Sequence, residues 1–150
     1  MKNYNNKLSS TSPPFSYQNY YFAAAAIASA IAGLVHILMP LVFAHGILHR
    51  APVAIFFLGS GIAQLFWIIP MIRQWGRPWY YVGIVGNIAF IALYMVTRVP
   101  GNPVTSRGGD VDALAMVCEL AQVAYIAITI IILRKLRTTK TKYSRKEHAR

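Results

Sequence analysis

The sequence predicts an all-α integral membrane protein, a four-helix bundle that crosses a bilayer four times with both termini on the cytoplasmic side. Three observations carry that prediction. The 150 residues are 56% hydrophobic and 13% charged, and that charged fraction is about half of what a soluble domain carries. The apolar residues gather into four charge-poor runs, each long enough to cross about 30 Å of hydrocarbon at about 1.5 Å per residue. The fifteen Lys and Arg residues are spread unevenly over the segments that separate those runs.

Residues 1–19, MKNYNNKLSSTSPPFSYQN, are rich in Asn, Ser and Tyr and carry Pro13-Pro14. No apolar face repeats at helical or strand period, so this stretch reads as a loose polar arm. Span one covers about residues 20–43, an uncharged run from Tyr20 to Phe43. A signal peptide would have a shorter apolar core of about 7 to 15 residues and a small-residue cleavage site, so this run is expected to stay in the mature protein. After a polar break from His45 to Arg50, span two covers residues 52–72 and is opened by Pro52, which suits a first helical turn. Arg73 to Arg77 ends it. Span three, about residues 79–97, follows Pro78, and Trp75, Trp79, Tyr80 and Tyr81 are placed as an interfacial aromatic belt. Residues 99–109 hold two prolines and three glycines, which is loop chemistry. Span four covers about residues 111–133, closing a membrane domain of residues 20–134, and residues 135–150 form a basic tail.

Orientation follows from the cations. The arm, the loop between spans two and three, and the tail share one side and carry twelve Lys and Arg, against three on the other, Arg50, Arg98 and Arg107. The positive-inside rule then places both termini in the cytoplasm and the chain in the cell membrane. The net charge of +11 is concentrated at the end of the chain, with eight of the fifteen cations between Arg134 and Arg150. That pattern points to anionic lipid headgroups rather than to nucleic acid. One cysteine, Cys118, excludes an intramolecular disulfide and reads as a small buried hydrophobe. Small residues, among them Ala23 to Ala26, Ala30, Gly33, Gly59-Ser60-Gly61, Gly83 and Gly86, allow close helix approach in lipid.

A polar group left unpaired in hydrocarbon costs several kcal/mol, so each one asks for a partner or a purpose. His36 falls in span one, Gln64 in span two, Asn87 in span three and Glu119 in span four, with Arg98 and Asp112 at span ends. Gln64 and Asn87 fall near the midplane, and the titratable residues all lie in the outer half. Asp112 and Glu119, seven apart, share a helix face.

The stretches FFLGSGIAQLFW, GNIAFIALYMVTRVPGNP and DVDALAMVCELAQV resemble a family of small four-span membrane proteins common in actinobacteria. The resemblance covers about Leu34 to Val123. It rests on His36, His45, Phe57, Gln64, Asn87, Arg98, Gly101, Pro103, Asp112 and Glu119, and most specifically on the Asn87-to-Arg98 and Asp112-to-Glu119 spacings. Ala44 departs from the family pattern, which has an acidic residue there. The resemblance implies that the outer-half polar residues recur as a set, and it carries no activity with it.

Three functional readings use these residues. A chain of this length is at most one domain, so the membrane part is expected to carry the function. With no catalytic or phosphate-cradling motif, the leading expectation is a non-catalytic accessory or structural subunit of a larger membrane complex, with other membrane proteins as partners. There Gln64, Asn87 and Arg98 form a polar network, with Arg98 pairing to Asp112 or Glu119. The first alternative is an outer-facing site for a transition metal, copper being one candidate, held by His36, His45, Asp112 and Glu119; imidazole with carboxylate suits such ions. The second is a small membrane enzyme using His and Glu as base and acid, although Ser60 has no nucleophile context and Cys118 no activating cation.

Overall fold

The computed structural model describes residues 17–42, 51–103 and 112–147, and among these every regular element is a helix. In chain order they are α1 (Tyr17–Val42), α2 (Ala51–Phe66), α3 (Ile68–Ile72), α4 (Arg77–Arg98) and α5 (Ala113–Glu147). Four membrane-length segments result, at Asn19–Leu41, Val53–Ile72, Arg77–Arg98 and Ala113–Arg137. They number four, as the sequence predicts. The arm through residue 16 and the loop with His45 and His49 lie outside the described residues.

The ends of the helices follow local chemistry. Pro78 stands in the first turn of α4, where its missing N–H is no loss. Asp112 caps α5, its Oδ1 accepting the Ala115 N–H at 2.8 Å, which supplies one of the orphan donors of a helix start. The second span is α2 and α3 together. Pro70 cannot donate to the Phe66 carbonyl, and the chain breaks step at Trp67, whose N–H lies 3.2 Å from the carbonyls of both Ala63 and Gln64. The turn into α4 closes with the Trp75 N–H donating to Pro70 O at 3.1 Å and with Gly76 at φ 107°, a conformation that favours glycine. At 35 residues, α5 is about 52 Å long against about 30 Å of hydrocarbon, so through Glu147 the basic tail continues the fourth helix.

The four spans are ordered α2, α1, α5, α4 around an open horseshoe. Helix α1 packs along α2, α3 and α5, while α4 packs on α5 and touches α3 at the turn. Among the described residues, no Cα of α2 comes within 8 Å of a Cα of α4. Burial follows this order: α1 buries 56% of its membrane window inside the bundle, α4 only 17%. The core has two parts, one around Phe22, Met71, Tyr80 and Tyr125, the other around Ala32, Val35, Met39 and Cys118. The aromatic belt at the α3–α4 turn is made by Trp75, Trp79 and Tyr81, each about 40% exposed. Tyr80 is not part of it. It is 1% exposed, because one residue's advance along α4 turns its ring inward against Phe22, at 5.7 Å between centroids.

Candidate functional site

The buried face of α1 presents Ser29, Ala32, His36 and Met39, and that of α5 presents Ala115, Cys118, Gln122, Tyr125 and Thr129. Both follow the three-and-four spacing of one helix side. Polar side chains are therefore aimed into the bundle at several levels, and each has to be satisfied there.

Near the middle, Ser29 Oγ donates to the Gln64 backbone carbonyl at 2.6 Å and lies 3.3 Å from Gln64 Oε1. The Gln64 amide donates to Asn87 Oδ1 at 3.1 Å, and the Asn87 amide donates to the Gly83 carbonyl at 2.8 Å. One chain of bonds thus links α1, α2 and α4, bridging by side chains the gap that the backbones of α2 and α4 leave open. Gln64 and Asn87, two of the residues assigned to a polar network from the sequence, are bonded to each other, and Ser29 extends the chain.

His36 does not join that chain. Its Nδ1 lies 2.9 Å from the Ala32 carbonyl and 3.3 Å from Cys118 Sγ. A carbonyl only accepts, so the proton is on Nδ1 and Nε2 carries the lone pair. The Gln122 amide approaches Cys118 Sγ at 3.5 Å from the other side. The ring of His36 stands between Phe57 and Phe90, at 5.9 and 5.6 Å between centroids. Cys118 is buried, as expected, and is also the side chain nearest to the imidazole's hydrogen-bonding edge.

At the end of the bundle that carries Arg98, the guanidinium stacks over the Tyr94 ring at 4.3 Å and acts electrostatically on the Glu119 carboxylate. Asp112 is occupied as the α5 cap. Of the four expected metal ligands, His45 lies outside the described residues, His36 turns its Nδ1 edge to Ala32 and Cys118, Asp112 caps a helix and Glu119 faces Arg98. Among the described residues no three His, Cys, Asp or Glu side chains gather to hold a metal ion.

Ser29, Gln122 and Thr129 are buried polar residues beyond those expected from the sequence. Their signal was available in the spacing: Ser29 is seven before His36, and Gln122 and Thr129 continue the face of Cys118. Thr129 bonds its own helix, donating to the Tyr125 carbonyl at 2.7 Å, a common way for a membrane helix to absorb a hydroxyl.

Four apolar helices of spanning length, with their polar groups turned inward, define the class: a small multi-pass membrane protein. Compared with protein-family models, with curated proteins and with solved structures, the chain matches none.

Proposed function

We propose that the chain is a non-catalytic accessory subunit that packs against a larger membrane complex, held in the cell membrane with both termini cytoplasmic. The observation that carries this reading is the open edge of the horseshoe. Helix α4 buries 17% of its membrane window, and Gly86 on it has nothing within 4 Å of where a Cβ would stand. Ala89 and Ala92 continue this exposed side. Small residues let a partner helix approach closely in lipid, where packing rather than hydrophobicity drives association. Ser29, Gln64 and Asn87 are bonded to one another within the bundle, which supports a cohesive role for them.

Solubilised from its native membrane in mild detergent, the chain should migrate on a native gel with a larger assembly, and Gly86→Leu should release it. Migration alone at monomer mass would sink the proposal. The twelve-to-three cation asymmetry supports the orientation, and a reporter fused after Arg150 should report a cytoplasmic location. The same asymmetry supports anionic lipid at the tail, worth about 1 kcal/mol per basic residue near the surface. We also infer that the chain shares its plan with the four-span family it resembles, in which Gln64, Asn87 and Arg98 serve cohesion of the bundle.

A further inference from the structure

At the end of the bundle away from Arg98, two cations cross between α4 and α5. Arg77 opens the membrane-length segment of α4, and Arg137 closes that of α5. The Arg77 guanidinium donates to the Leu136 carbonyl of α5 at 2.8 Å, and the Arg137 guanidinium donates to the Tyr81 hydroxyl of α4 at 2.8 Å. Arg77 and Tyr81 are four apart and Arg134 and Arg137 three apart, so each pair shares one side of its helix. The Lys135 ammonium stands 3.8 Å over the Tyr21 ring of α1. Arg134, Lys135 and Arg137 are exposed, as is Arg73 at the close of α3. A carbonyl, a phenol oxygen and a ring are all neutral, so these contacts fix the cations without cancelling their charge. The carboxylates among the described side chains are Asp112 and Glu119. Glu119 stands fifteen residues before Arg134, about 22 Å along α5, and Asp112 is farther still. The backbone of Glu147 is ten residues past Arg137, about 15 Å in the other direction.

We propose that this seam between α4 and α5 binds the phosphate headgroup of an anionic bilayer phospholipid, held by Arg77 and Arg137 with Arg134 beside them. The depth is right for a headgroup, because Trp75, Trp79 and Tyr81 form the interfacial belt at the same end. A planar guanidinium matches a phosphate by its fork of donors and keeps its charge at any working pH. The two crossing bonds hold both guanidiniums in place before a ligand arrives, which lowers the ordering cost of binding. From Tyr81 toward the bilayer core, Val85 and Ile88 on α4 are exposed, as is Ile130 two turns before Arg137 on α5. They offer an apolar track for acyl chains, which neither a soluble phosphate nor an acidic peptide would use. The site deepens the reading of anionic lipid at the tail, replacing a diffuse run of cations by one built place. It depends neither on the accessory role nor on which side the termini face.

The test is native mass spectrometry of the full chain, released from micelles after incubation with equimolar phosphatidylglycerol and phosphatidylcholine of identical acyl chains. Wild type should retain one phosphatidylglycerol per chain and prefer it about thirtyfold, about fivefold for each of two cations. Arg77→Gln/Arg137→Gln should bring the two lipids near parity, while the tail variant Lys140→Gln/Lys142→Gln/Arg145→Gln/Lys146→Gln should keep the preference. The reverse pattern would assign the lipid to the tail and overturn the seam. If the double arginine variant fails to fold, Tyr81→Phe decides. Its ring is exposed, and loss of the Arg137 bond should lower the preference about fivefold, the value of one hydrogen bond. Equal retention of the two lipids by wild type, or an unchanged preference in Tyr81→Phe, would overturn the proposal. So would displacement of the lipid by inorganic phosphate, which would mark a site for a soluble anion, or by polyglutamate, which would mark a face for an acidic protein.

Discussion

The close glycine contact of α1 with α2 makes a sharp prediction at Gly61. A Cβ there would stand 2.6 Å from Ile37 Cγ1 and 2.9 Å from the Gly33 backbone carbonyl oxygen. The reverse holds at Gly33, where a Cβ would meet Leu65 at 2.9 Å and the Gly61 carbonyl oxygen at 3.1 Å. Ile37 is β-branched and stiff in a helix, and a backbone carbonyl cannot swing aside. Gly61→Ala therefore has to push α1 and α2 apart by about half an ångström, an overpacking that costs about 1 to 3 kcal/mol. Alanine's better helix propensity returns up to about 1 kcal/mol, so the upper end of the net loss is about 2 kcal/mol. The control is Gly86→Ala, whose new methyl meets nothing within 4 Å and should be neutral or slightly stabilising. The assay is reversible unfolding of the purified chain in mixed micelles by rising SDS, followed by tryptophan fluorescence. Equal midpoints for the two variants, or a Gly61→Ala protein more stable than wild type, would refute the close-approach reasoning.

Other outcomes follow from the same structure. A double-mutant cycle of Gln64→Leu and Asn87→Leu, read by the same SDS titration, should give a coupling energy of about 0.6 kcal/mol and not more than about 1.7, the range measured for interhelical bonds in membranes. Asp112→Ala should cost about 1 kcal/mol through loss of the α5 cap, and Asp112→Asn should restore most of it; a full loss in Asn as well would point to a role for the charge. Cys118 should resist a membrane-permeant maleimide in the native chain and label fully in SDS, because it is 5% exposed; rapid native labelling would place it elsewhere.

The sequence determined the number of spans, their lengths and several of their ends. Charge-poor apolar runs of about twenty residues are long enough to cross a bilayer, and Pro78 and Asp112 act on the turn in which they stand, so their effects are local and legible. It also located Gln64 and Asn87 at matching depths, and depth follows from counting residues along a helix. What it could not determine was the direction in which each side chain faces. In water an apolar stripe marks the buried face, but in lipid the outside of the bundle is as apolar as its inside, and the periodicity that separates them fades. The spacing therefore places Tyr80 in the belt although it is buried, and it does not foresee that the buried Cys118 lies against His36. The horseshoe order of the helices, the glycine contact of α1 with α2 and the phenyl-lined gap between α2 and α4 are decided only in the tertiary structure. They depend on which small residues meet across helices distant in sequence, and no single helix contains that information.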